Sequence, residues 1–203
     1  GHKEKNIVLD FAQQFDRWML HYTGQATAMT RVDDTYVTLS NRAAMANTLG
    51  APLISWHCNA FNSKASGVEA FTSIGQTDSD PLATAMLETY VRENPSVAKR
   101  FDLSDGDPDK EAKYTVLTKT RGIAVLFELG FIDSPEDIVF LSSPTWRTHN
   151  AKAMALTVAK HFGWLVEGTD EPDSGSIVEP VKLLTTEQRL ARLETLAGLS
   201  PQS

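Results

Sequence analysis

Two apolar runs in this chain carry residues that hydrolytic chemistry uses. Leu53-Ile-Ser-Trp-His-Cys-Asn-Ala60 ends in His57 and Asn59, and Ile123 to Leu129 is apolar except for Glu128. An unpaired buried carboxylate is expensive, so Glu128 needs a partner, a metal or a shifted pKa. Both runs read as buried strands of a parallel sheet, and the carboxyl ends of such strands are where open α/β sheets bind ligands. A second acid, Glu4, stands in the first turn of the opening helical pattern, where a carboxylate also suits the helix dipole. Histidine and carboxylate ligands with an open position make a catalytic zinc site, and a nearby non-ligand carboxylate can act as base. The plainer readings are a packed histidine, a buried salt bridge for Glu128 and a helix-start acid for Glu4. Spacing does not choose, because these residues come from elements far apart in the chain.

The elements that must position them alternate. Val8, Phe11, Phe15 and Trp18 recur at helical steps and give the first helix one apolar face, with His21 near its end. Ala26 to Thr30 reads as a short strand, followed by a polar loop. Ser40 is a plausible cap for a second helix that stops at Gly50. Gly67 to Thr72 alternates as a further strand, and Asp78 to Asp80 with Pro81 opens a third helix. Asn94 to Lys113 is charged and reads as a surface excursion at the rim of a binding site. Ser134-Pro135 and Ser143-Pro144 resemble helix starts, the second leading into a stripe of Ala151, Met154, Val158 and Phe162. His149 and His161 fall off that stripe and are expected at the surface. The sum is a three-layer α/β/α sandwich with a mostly parallel central sheet. Residues 1–166 form its domain; 167–183, acidic and rich in Gly, Ser, Thr and Pro, read as a linker. Residues 184–203, with Leu190, Leu193 and Leu196, suggest a short helix.

Composition narrows the function. With 203 residues and a net charge of −7, and no lysine- or arginine-rich run, nucleic acid is not an expected partner. Cys58 is the single cysteine, which excludes an intrachain disulfide or a thiolate metal cluster. No apolar run approaches the roughly 20 residues of a membrane span, and none reads as a signal peptide.

Several segments carry a resemblance. Glu4-Lys-Asn-Ile-Val-Leu9, Met29-Thr-Arg-Val-Asp-Asp34, Leu39-Ser-Asn-Arg-Ala-Ala-Met-Ala-Asn47, Ile54-Ser-Trp-His-Cys-Asn-Ala60 and Val125-Leu-Phe-Glu-Leu-Gly-Phe-Ile132 are similar, in order, to the zinc-dependent N-acetylmuramoyl-L-alanine amidases of bacteria and phages (amidase type 3). The resemblance covers about Glu4 to Trp164 and implies a phosphorylase/hydrolase-like fold. It implies a zinc held by Glu4 and His57, with Glu128 as catalytic acid and base, and Asn59 orienting the site. The substrate it implies is peptidoglycan, cut between the lactyl group of N-acetylmuramic acid and the L-alanine of the stem peptide, in the periplasm or outside the cell. Arg42 is expected to tie its helix to the preceding loop through Asp33 or Asp34. The family has a further histidine ligand upstream, in a strand ending Gly-His-Gly-Gly-like. Here three residues precede Glu4, so either upstream residues complete the site or His2 stands in. The segment between Asn94 and Lys113 is too short for the long helical insert that blocks the site in some cell-division members, which favours a phage or prophage endolysin. The alternatives are a non-catalytic cell-wall-binding module on the same fold and another zinc peptidase.

Overall fold

Alternation along four short strands builds the centre of the molecule. The computed structural model describes residues 2–166, so the expected linker and last helix lie outside the described residues. β1 (Leu53–Asn59), β2 (Glu69–Thr72), β3 (Lys110–Glu111) and β4 (Ala124–Phe131) form one sheet in the order β1-β4-β2-β3. β1 runs parallel to β4 and β2 parallel to β3, while β2 meets β4 antiparallel. The sheet is thus mostly parallel, as expected, with one reversal at its middle.

Because side chains alternate across a pleated sheet, its two faces differ. One presents Trp56 and Cys58 from β1, Val125, Phe127 and Leu129 from β4, and Ala70 from β2, all buried in the main core. Three helices fill that side: α1 (Glu4–Thr23), α3 (Asp80–Glu93) and α6 (Pro144–His161), with the short α5 (Asp137–Leu141) beside β4. Trp56 is the keystone, its ring 4.8 Å from Phe11, 5.2 Å from Phe15 and 5.7 Å from Phe127. Burying aromatics of this size contributes a few kcal/mol each. The opposite face carries a smaller cluster, Ala124, Leu126, Val116 and Leu117 with Leu53 and Phe71 against it. Here α4 (Thr115–Lys119) lies on β4, and α2 (Leu39–Leu49) packs on α4. The thinner cover leaves the end of this face to polar residues.

Several expectations need correction. Ala26 to Thr30 is not a strand. Thr27 spends both its backbone N–H and its hydroxyl on Asp16 Oδ1, at 2.7 and 2.8 Å, so α1 holds this segment by a side chain. In α1 the buried row is Ile7, Phe11, Phe15 and Met19, then Tyr22, while Val8 and Trp18 are only partly buried beside it. The i, i+4 row is the one that faces the core. Helix α2 is capped by Thr38, whose hydroxyl accepts from Asn41 N at 3.2 Å, instead of Ser40; it ends at Gly50 as expected. Arg42 donates to Val37 O at 3.1 Å and not to Asp33 or Asp34. Asp34 pairs with Lys5, and Arg31 bonds the Asp33 carbonyl. The excursion from Asn94 to Lys113 contains β3 but no helix.

Candidate functional site

Register places the chemistry. His57 of β1 is the Cα partner of Glu128 of β4, and Glu128 is in turn the partner of Glu69 of β2. Directly opposed residues share a face, so these three side chains form a row across the sheet on its thinly covered side. Helix α1 adds Glu4, whose first-turn position carries its carboxylate to the end of β1. Glu4 Oε1 lies 2.9 Å from His57 Nδ1 and accepts the Cys58 N–H at 3.2 Å. With Nδ1 donating to Glu4, Nε2 is left to accept the Ser55 hydroxyl, 3.0 Å away. Burial raises the Glu4 carboxyl, but His57, the Cys58 N–H and Arg31 outweigh it and hold it below the usual carboxylate range.

Glu128 behaves in the opposite way. Burial, with the charges of Glu4 and Glu69 adding to it and His57 opposing, pushes it up to about 7. Its Oε2 is buried and has no hydrogen-bond partner among the described residues. Such an atom is a proton acceptor held ready near neutral pH.

Glu69 was not anticipated, nor were its partners Arg100 and Lys110; Asn59 was. It is 4% exposed, and it accepts from Asn59 Nδ2 at 2.9 Å, Arg100 Nε at 2.5 Å and Lys110 Nζ at 2.8 Å. Burial raises its carboxyl, but Lys110 and Arg100 more than compensate, so it stays ionised. The sequence gives little sign of it, because in an alternating strand such as Gly67 to Thr72 a carboxylate is ordinarily solvent-facing. Asn59 therefore touches Glu69, and its Oδ1 also accepts the Ala60 N–H at 2.8 Å, which fixes the turn after β1.

The remaining titratable residues fall away from this row. His2 is exposed ahead of α1, and it does not join Glu4 and His57 in a group of three metal donors among the described residues. His149 is surface-exposed and pairs with Glu93 at 2.9 Å, and His161 is exposed, both as expected. Burial pushes the Cys58 thiol far up, so it offers no thiolate.

Zinc takes imidazole nitrogen and carboxylate oxygen. Glu4 and His57 supply one of each, facing one another, with an unpartnered carboxylate oxygen on the neighbouring strand. In kind the residues fit zinc, as two of the usual three protein ligands.

Known proteins resemble this chain along most of its described length. The family model described as N-acetylmuramoyl-L-alanine amidase matches residues 1–160. The chain is 28% identical over 203 residues to N-acetylmuramoyl-L-alanine amidase AmiA of Escherichia coli (strain K12), covering 81% of this chain and 70% of that protein. It is 31% identical over 134 residues to the probable cell wall amidase LytH of Staphylococcus aureus, covering 66% of this chain and 41% of that protein. Among solved structures, N-acetylmuramoyl-L-alanine amidase from Clostridium difficile 630 matches with a TM-score of 0.72 at 25% identity, over 80% of this chain and 85% of that one.

Proposed function

From the premise that the chain belongs to the N-acetylmuramoyl-L-alanine amidase family, we propose that it hydrolyses peptidoglycan at the amide between N-acetylmuramic acid and L-alanine, with zinc as cofactor. The observation that carries the reading is the row of Glu4, His57 and Glu128, two touching ligand-type donors beside an unpartnered carboxylate. Glu4 and His57 would hold the zinc. When bound, zinc supplies Lewis acidity, polarising the scissile carbonyl and making water more acidic.

Glu128 does the proton work. Ionised, it takes a proton from the attacking water; neutral, it returns that proton to the leaving amine of L-alanine. General acid–base help of this kind is worth about 10²–10⁴ in rate. Asn59 keeps Glu69 and the turn after β1 in place, so its role is positioning.

The setting we infer is the catalytic domain of a phage or prophage endolysin, acting on the wall from the periplasm or outside the cell. The segment from Asn94 to Lys113, which has no helix to cover the site, supports an ungated enzyme. A second reading, a wall-binding module that does not cut, draws on the two-donor set alone. Digestion of purified peptidoglycan, with products read by mass spectrometry, tests both. Stem peptides with free N-terminal L-alanine, and no new reducing sugar ends, are expected. Intact glycan–peptide links after incubation with zinc-loaded protein would leave the binding module.

A further inference from the structure

Next to Glu128 the sheet holds a charge arrangement that the hydrolysis itself does not use. Buried Glu69 is shared by two cations, Arg100 and Lys110, which leaves a surplus positive charge in a chain whose net charge is −7. Arg100 is only partly committed to it. Its Nε is the atom bonded to Glu69, its guanidinium carbon sits 5.1 Å above the Phe131 ring, and its side chain is 39% exposed. Its terminal nitrogens make no hydrogen bond among the described residues. A guanidinium fixed by one Nε bond and a stacked ring offers its remaining donors as a preformed fork, the geometry that suits a carboxylate. Lys110, on the next strand and 5.9 Å over Phe71, backs the same charge.

On the amidase reading above, we propose that Arg100, set by Glu69 and backed by Lys110, is a carboxylate subsite beside the row that takes the free α-carboxylate of the stem-peptide residue following L-alanine. The reach agrees. In an extended stem that carboxylate lies about 6–7 Å from the scissile nitrogen, given consecutive Cα atoms about 3.8 Å apart. One to two strand spacings of about 4.8 Å separate Glu128 from the groups that Glu69 holds. A substrate with its amide at Glu128 and its stem running across β2 brings the carboxylate to the fork.

The test uses the full chain and two soluble disaccharide–tripeptides, GlcNAc-MurNAc-L-alanyl-γ-D-glutamyl-L-lysine and its D-isoglutaminyl counterpart, which differ only in that α-carboxylate. With zinc-loaded wild type, KM should be about tenfold or more lower for the carboxylate form, with kcat little different. The same preference should appear in Kd measured by calorimetry on Glu128→Gln, where nothing is cut. Arg100→Gln should bring the ratio of the two substrates toward one, and Arg100→Lys should restore part of it. Equal KM and Kd for both substrates in the wild-type site, or a ratio untouched by Arg100→Gln, overturns the proposal. The wild-type comparison stands even if Arg100→Gln fails to fold. If wild type cleaves neither substrate, the amidase reading falls, and the two Kd values still decide the carboxylate subsite.

Discussion

At the scale of single residues, the site is legible where a polar side chain sits in an apolar run. Glu128 and His57 stand out for that reason, since burial must be compensated. Glu69 obeys the same rule but hides in an alternating strand, where a polar residue is ordinarily solvent-facing. Arg100 and Lys110 come from a charged stretch with no periodicity, so only the fold brings them in. Glu128→Gln keeps the shape and removes the proton acceptor. At least a ~10²-fold loss in turnover on peptidoglycan is expected, with zinc content and far-UV circular dichroism unchanged. A variant cutting near the wild-type rate would make Glu128 structural. His57→Ala removes an imidazole donor beside Glu4, so stoichiometric zinc by metal analysis is expected to be lost; retained zinc would refute the ligand assignment. Stability carries a pH signature as well. In the metal-free fold Glu128 protonates at about 7, well above an unfolded glutamate. Between roughly pH 4.5 and 7 the folded state therefore holds a proton that the unfolded chain has released, and stability falls as pH rises through that window. Above it the charged form costs on the order of 3 kcal/mol. Urea unfolding at pH 5 and pH 8 should show a smaller decline in Glu128→Gln than in wild type. Asp109, likewise raised by burial, contributes to both proteins and cancels.

At the scale of elements, register turns scattered residues into a site. The four longer helices and strands β1, β2 and β4 were readable from apolar pattern and caps, while β3 and α4 were not, and the strand expected at Ala26 to Thr30 is absent. The direction of β2 was not readable, since a four-residue strand alternates identically either way. Yet its antiparallel run is what sets Glu69, at its first residue, opposite Glu128 in the middle of β4. Entry into β2 is built by Gly67, at φ +113, whose N–H donates to buried Asp137 Oδ2 at 2.8 Å. The same carboxylate oxygen accepts the Phe131 N–H at 2.8 Å, so Asp137 ties the start of β2 to the end of β4. A Cβ at position 67 would lie 2.2 Å from the Ala98 carbonyl oxygen, in a backbone region that L-residues avoid. Gly67→Ala should therefore cost at least ~2 kcal/mol, with the urea midpoint lowered accordingly. Activity at the unfolding-free end of the curve should also fall, because β2 carries Glu69. A midpoint within error of wild type would show that the loop at Ala98 yields freely.

At the scale of the whole molecule, the last described residues are tied back to the first helix. Helix α6 lies along α1, and the chain beyond it turns back: Trp164 N–H donates to Ala159 O at 2.9 Å, and its ring stacks on Phe162 at 4.3 Å. Val166 N–H then reaches Tyr22 O at 2.9 Å, at the end of α1. The residues named in the core around Trp56 and in the row from Glu4 to Lys110 all precede that point. A boundary is expected there because composition changes from periodic apolar residues to residues with little to bury. A chain ending at Val166 should thus unfold cooperatively, within about 1 kcal/mol of the full chain in urea. Its turnover on soluble muropeptides should match the full chain, since no proposed site residue is lost. Binding to whole sacculi is a separate reading and is free to change. A broad, non-cooperative transition in the shortened chain would mean that residues after 166 belong to the core, and would move the domain boundary toward the C-terminus.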